Sequence, residues 1–232
     1  MAELHKIVAT VKTALEAGAT AAPPPPAPAS SAVPVTSTAQ RAELASRFAR
    51  ELEAVAGRFL GVVAPAEAPA RAVALAREIG ARSVAIGAGV VNDARAIATA
   101  LEDAGLAVVH SAPIRSAAER AAMRAGMAQS DLGIAEAHCA IAATGTLAVI
   151  ATEHRPASLT LLPPASLIIV DIDRILPDLA AALAMIGPDL IGSHRVSLIT
   201  GPSRTADIEK RIVLGVHGPK ALYVLVTWPR ND

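Results

Sequence analysis

The chain has 232 residues, enough for one sizeable core or for a core with an appendage. Hydrophobic residues make up 53%, but much of that is Ala, which suits close-packed helices. No run of eighteen apolar residues occurs, and the most apolar stretch, residues 159–170, is split by Pro163-Pro164, which argues against a membrane span. The 21 basic residues balance the 21 acidic ones, and aromatic residues amount to 2%, so the basic footprint and stacking platforms of a nucleic-acid binder are missing. Glu3, His5 and Lys6 interrupt the N-terminus where a secretory signal would need an apolar core, and the expected location is the cytoplasm.

Residues 2–18 read as a short helix. A Pro/Ala/Ser tract follows, containing Pro23-Pro24-Pro25-Pro26 and Pro28. Such a tract favours extended polyproline conformation and builds no core, so residues 1–38 form a helix and linker outside the main domain, residues 39–232. The tract is either a spacer or an arm that docks residues 2–18 on a neighbouring subunit, which would make the protein a homo-oligomer.

Leu44, Phe48, Leu52, Val55 and Phe59 recur every three or four residues and predict an amphipathic helix over 39–60. A second helix over 67–79 ends at Gly80. Strands at 83–86 and 107–110 then alternate with helices at 93–103 and 117–127. Further strands are expected at 132–134, 140–142, 147–150, 167–170, 196–200 and 222–226. A helix over 172–185 lies among them, with Pro177 near its first turns. Alternation of short apolar strands with helices predicts an α/β fold with a mostly parallel sheet flanked by helices.

Ligands of such sheets bind beyond the carboxyl ends of strands, so the loops leaving strands carry the candidate chemistry. Gly87-Ala88-Gly89 begins like a dinucleotide fingerprint, but the third glycine position is Asn92, and a capped strand-to-helix turn explains it equally. Thr144, Gly145 and Thr146 can present backbone N–H and hydroxyl donors to a ligand, or simply close a hairpin. The richest segment follows the strand at 196–200. Gly201-Pro202 stops it, and Ser203 and Thr205 can cap a helix starting at Ala206 or Asp207, whose free amides together with Arg204 would hold a carboxylate or phosphate. Asp207 would favour the helix dipole, Glu209 is a candidate acid–base group, and His217, beside Gly218-Pro219, is the second. The alternative is that these residues only stabilise turns. No spacing of His or paired carboxylates indicates a dedicated metal site. Cys139 is the single cysteine, so no iron–sulfur cluster is held by cysteines of this chain, and other cofactors are left open.

These residues carry a resemblance. Asp131-Leu132-Gly133-Ile134, Ala142-Ala143-Thr144-Gly145-Thr146-Leu147, Ser158-Leu159 with Leu162-Pro163-Pro164, the run from Gly201 to Glu209, and Gly215-Val216-His217-Gly218-Pro219 occur in the order and form of the LUD-domain family. The chain resembles that family, and within it the lactate-utilization protein C group, from about Ser83 to Val226. The resemblance implies a fold like that of the NagB/RpiA/CoA-transferase superfamily. It also implies a role in oxidising L-lactate to pyruvate, as a ligand-binding or accessory subunit beside iron–sulfur partner proteins. One position departs: the family commonly has Glu before Thr-Gly-[Ser/Thr], and here it is Ala143, with Glu136 seven residues earlier. Two other readings stay open. One is a stand-alone enzyme on a phosphorylated or carboxylated small molecule, isomerase-, CoA-transferase- or cyclo-ligase-like. The other is a non-catalytic binding or scaffold protein.

Overall fold

A computed structural model describes Thr13 and residues 37–87, 94–113, 116–152, 154–187, 195–206, 212–214 and 217–229. The architecture below belongs to the unit Ser31–Asp232, one of two into which the chain divides, the other being Met1–Ser30. Apart from Thr13, the expected N-terminal helix, and with it the linker up to residue 36 and the Ala88–Asn92 part of the glycine turn, lie outside the described residues.

Helix α1, Thr38–Ala54, opens with a capping box. The Ser37 hydroxyl accepts the Gln40 N–H, and the Gln40 side chain accepts the Ser37 N–H. It stops six residues short of the predicted end. Ala56 takes a left-handed φ of 64°, and Gly57 lies so close that a Cβ there would stand 2.3 Å from Leu52 Cδ1. Phe59 therefore falls not on the helix but on strand β1, Arg58–Val63. Its spacing from Val55 imitates a helical repeat across a chain reversal.

The alternation that follows matches expectation closely. It comprises α2 Ala68–Glu78, β2 Ser83–Ile86, α3 Ala94–Asp103, β3 Ala107–His110, α4 Ala117–Gln129 and β4 Leu132–Glu136. With β7 Ala165–Asp171 and β12 Ala221–Thr227 these strands form a wholly parallel six-stranded sheet in the order β1-β12-β7-β4-β2-β3. One face is covered by α2 and α3, whose Ala72, Leu75, Ile97 and Leu101 pack on Val84, Ile134, Leu167 and Leu225. On the other face Phe48 and Leu52 of α1 pack on Ile168, Val170 and Val224, and Met127 of α4 packs with Ala85 and Ala135. Helices on both faces explain why strands such as β4 and β7 are buried along their whole length.

Asp131, just before β4, ties this strand to β2. Its Oδ2 accepts the Arg82 N–H at 2.8 Å, the Ser83 N–H at 3.0 Å and the Ser83 hydroxyl at 3.0 Å. The backbone bond from Arg82 does most to hold its carboxyl below the usual aspartate range. Gly133 lets the Leu159 carbonyl lie on the sheet, 2.2 Å from where a Cβ would stand.

A second, four-stranded sheet was not expected. Its order is β8-β5-β6-β9, with β5 Cys139–Ile141, β6 Thr146–Ala151, β8 Ile175–Leu176 and β9 Arg195–Ile199. Strand β6 runs antiparallel to both β5 and β9, and β8 is parallel to β5. The helix predicted over 172–185 is broken in two by this sheet. Asp171 caps a short 3-10 turn, Ile172–Arg174, by accepting the Asp173 N–H. β8 then pairs with β5, and α5, Leu179–Ile186, starts only after Asp178 accepts the Ala181 N–H. The Leu176 carbonyl receives the Ala142 N–H, a bond that a helix through this point would not offer. α5 covers the small sheet through Ala181, Ala182 and Ile186.

Candidate functional site

The segments after β9 and before β12 do meet. The Ser203 N–H donates to the Pro219 carbonyl at 2.9 Å, and a Cβ on Gly218 would stand 3.1 Å from that of Ser203. Between them and the sheet lies a cleft of about 220 Å³. Gly201, Ser203, His217 and Gly218 line it, together with Thr160, Leu161, Ser166, Leu198 and Leu222. His217 is exposed, and Leu161 and Leu198 are exposed apolar side chains of the lining. Ser166 is 1% exposed, and its Oγ has no hydrogen-bond partner among the described residues. A buried hydroxyl without a partner costs stability, which singles out Ser166 among the residues of the cleft.

The cleft sits elsewhere than the strand-end rule suggested. Ser166 and Leu222 are the second residues of β7 and β12, so this is the amino end of the parallel sheet. The reason is that β9 belongs to the small sheet, and its carboxyl end therefore points to the opposite end of the large one.

The helix start expected after Thr205 is also corrected. Arg204–Ala206 is strand β10, paired antiparallel with β11, Ile212–Leu214. The β-branched Ile212 and Val213 supply a strand partner, and the ladder takes up backbone amides that a helix start would leave free for an anion. Arg204 reaches instead to the C-terminal end of α1, where its Nη2 donates to the Val55 carbonyl at 2.9 Å. Thr205 is placed on β10 by its backbone, and Asp207 and Glu209, like Gly215 and Val216, lie outside the described residues.

Gly145 lies against the same helix end, and neither it nor Thr144 nor Thr146 lines the cleft. Gly145 has φ 62°, and a Cβ on it would stand 2.3 Å from the Leu52 amide nitrogen. Gly201 has φ 83°, and its Cβ would stand 2.4 Å from the Val55 carbonyl oxygen. Both glycines thus let two turns close on the last turn of α1. A chain of hydroxyls joins those turns, with Thr144 Oγ1 2.7 Å from Thr146 Oγ1 and Thr146 Oγ1 2.8 Å from Thr200 Oγ1. Ala143, where the family has Glu, is partly buried against the small sheet's apolar core.

At the opposite, carboxyl end of the parallel sheet lies a pair that the spacing of residues did not disclose. Glu136 is the last residue of β4 and is 6% exposed, and Arg155 Nη1 stands 4.0 Å from its Oε2. The sequence signal was a carboxylate ending an otherwise apolar strand, Leu-Gly-Ile-Ala-Glu. Nothing in the chain marks Arg155 as its neighbour. Among the described residues no group of three His, Cys, Asp or Glu is arranged to hold a metal ion. Burial pushes the Cys139 thiol up to about 11, so it stays protonated and is a packing residue.

The chain is thus an α/β domain with a helix-covered parallel sheet, an appended small sheet and polar groups at both ends of the parallel sheet. Residues 45–227 match the LUD domain model, and the chain belongs to the LUD-domain family. It is 36% identical over 104 residues to lactate utilization protein C of Bacillus licheniformis and, over the same number, to that of Bacillus subtilis. It is 35% identical over 102 residues to an uncharacterized protein of Neisseria meningitidis serogroup B. The matched stretch covers 42–43% of this chain and 43% of the length of each of these relatives. The crystal structure of a DUF162 family protein from Deinococcus radiodurans superposes with a TM-score of 0.55 at 21% identity, covering 81% of this chain and 98% of that one, which shows a shared fold. Among the described residues no helix is long and apolar enough to cross a membrane.

Proposed function

We propose that this chain is a ligand-binding component of a bacterial lactate-utilization system, acting in the cytoplasm beside iron–sulfur partner proteins. A small carboxylate or phosphate enters the cleft lined by Gly201, Ser203 and Gly218, where His217 supplies a donor or an acid–base group. Glu209 is the proposed acid–base partner of His217, with Thr205 and Asp207 as further ligand contacts. Iron–sulfur clusters come from the partners, because this chain has one cysteine and it is buried. The observation that supports the reading is the meeting of two family-motif segments over the unpartnered Ser166 hydroxyl.

The test is a deletion strain grown on L-lactate as sole carbon source, with a tagged chain recovered from lactate-grown cells. Loss of growth and recovery of an iron–sulfur protein are expected. Normal growth with no such partner would discard the reading. A thermal-shift panel of L-lactate, pyruvate, phosphate, CoA and folate separates it from a stand-alone enzyme: a shift with CoA or folate and none with lactate or pyruvate would favour the enzyme.

A further inference from the structure

Strand β9 is an edge of the small sheet. It pairs with β6 on one side, and among the described residues no strand or backbone hydrogen bond takes up the other. Alternate residues of an antiparallel pair turn their N–H and C=O groups away from the partner, so about half of those on β9 point outward. Ser197, Leu198 and Ile199 of β9, and Thr200 after it, all line the cleft. Successive side chains of a strand point to opposite faces, so such a run of neighbours borders one cleft along the strand's edge and not from a face. Val196 packs in the apolar cluster under α5 and Ile199 in the one under α1, as that alternation requires. The open main chain of β9 is therefore one wall of the cleft. Edges of this kind are ordinarily blunted by proline, lysine or a bulge. β9 reads Arg-Val-Ser-Leu-Ile and keeps an unbroken register of five pairs with β6, so it carries none of the three.

The remaining walls suit the end of an extended chain. Leu161 and Leu198 are exposed apolar side chains, and Leu222 is buried. The Ser166 hydroxyl, near the start of β7, has no partner among the described residues. Ser203 and His217 stand at the end toward which β9 runs. No described residue of the lining is acidic, and the exposed Lys220 follows Pro219, so the charge complementary to this end is a negative one. We propose that the carboxylate this cleft takes is the C-terminus of a partner polypeptide, which adds to β9 as a further, parallel strand. The partner's backbone bonds to the open edge of β9, and its last side chain, an apolar one, rests on Leu161, Leu198 and Leu222. Its carboxylate accepts from the Ser166 hydroxyl, with His217 as a second donor. A free small acid has neither the backbone nor the side chain and uses only the last of these contacts. The proposal rests on the reading that the cleft takes a carboxylate.

The experiment is isothermal titration of the full chain with an acetylated four-residue peptide of threonine, two valines and a C-terminal leucine. The same peptide as its C-terminal amide, the peptide N-methylated at alternate residues, and acetyl-leucine are titrated beside it. The free acid is expected to bind, and the amide about tenfold or more weakly, because the charge-assisted hydrogen bonds are lost. The N-methylated peptide and acetyl-leucine, which cannot pair with β9, are each expected to bind about tenfold or more weakly. Amide hydrogen exchange across residues 195–199 is expected to slow when the free acid is bound. Leu198→Asp, which sets a like charge in the cleft, is expected to weaken the free acid at least about tenfold. Should it fail to fold by circular dichroism, Ser166→Ala, which removes only a hydroxyl without a partner, is expected to weaken it about tenfold. The proposal is overturned if the free acid does not bind, if the amide binds as tightly, or if binding leaves exchange in β9 unchanged. It is also overturned if the variant that folds binds the free acid like the wild type. Acetyl-leucine binding as tightly as the peptide would overturn it too, while leaving the cleft as a site for small carboxylates. Growth of the deletion strain is read separately and bears on the pathway alone.

Discussion

Gly145 and Gly201 each combine a left-handed backbone with a main-chain neighbour that has nowhere to go. Gly145→Ala is expected to cost about 2–5 kcal/mol, the sum of the left-handed penalty and overpacking against α1. Gly105→Ala, also left-handed at φ 84° but with open space around it, should cost only about 1–2 kcal/mol. Denaturant unfolding of the two variants checks the difference, and equal losses would mean that the contact with α1 contributes nothing. Two aspartates make opposite contributions with pH. Asp131 has a lowered folded value, so its stabilisation is full above the ordinary aspartate range and is lost as pH falls through the folded value. Asp131→Asn should cost about 1–3 kcal/mol near neutrality and less in acid. Asp171 is raised by burial, so its favourable contribution is full below the ordinary range and fades as pH rises through the folded value. Asp171→Asn keeps an acceptor for the Asp173 N–H, and its stability relative to wild type should therefore rise with pH between acid and neutral urea midpoints.

At the scale of elements, the end of α1 organises the motif residues. Arg204→Met removes a charged donor from the Val55 carbonyl and should lower stability by about 1–2 kcal/mol without altering ligand binding, as unfolding and titration would show together. Lactate affinity that fell with Arg204→Met would restore Arg204 to the ligand. Helices and strands whose pattern is local were legible in the sequence: Ser83–Ile86 and Ala107–His110 appear where the apolar runs place them. Elements set by distant pairing were not. β10 and β11 are three residues each, and Ser203, Thr205 and Asp207 imitate a helix cap where a hairpin forms. β8 is two residues long and exists because β5 offers it a partner. The meeting of Gly201, Ser203, His217 and Gly218 in one cleft was legible because glycine turns and a histidine flank two strands. Arg155 was not, since only the order of strands brings it over Glu136.

For the molecule as a whole, the interior is divided into several apolar clusters, and Cys139 is fully buried in the one between the small sheet and α5. With its thiol pushed up to about 11, iodoacetamide at pH 8 should leave the native protein unmodified and label it fully in denaturant, read by mass spectrometry. Native labelling much faster than global unfolding would mean that the small sheet opens by itself. The chain of threonine hydroxyls described above bears on the same question. Thr146 is its middle member, and each hydroxyl has a single proton to give, so the direction chosen at one link constrains the other. Thr146→Val would then silence both links with one methyl. Thr144→Val or Thr200→Val would silence one each, leaving the remaining pair free to point either way. The β5–β6 turn and the turn after β9 are in this sense latched by one chain of hydroxyl hydrogen bonds, with Thr146 as its pin.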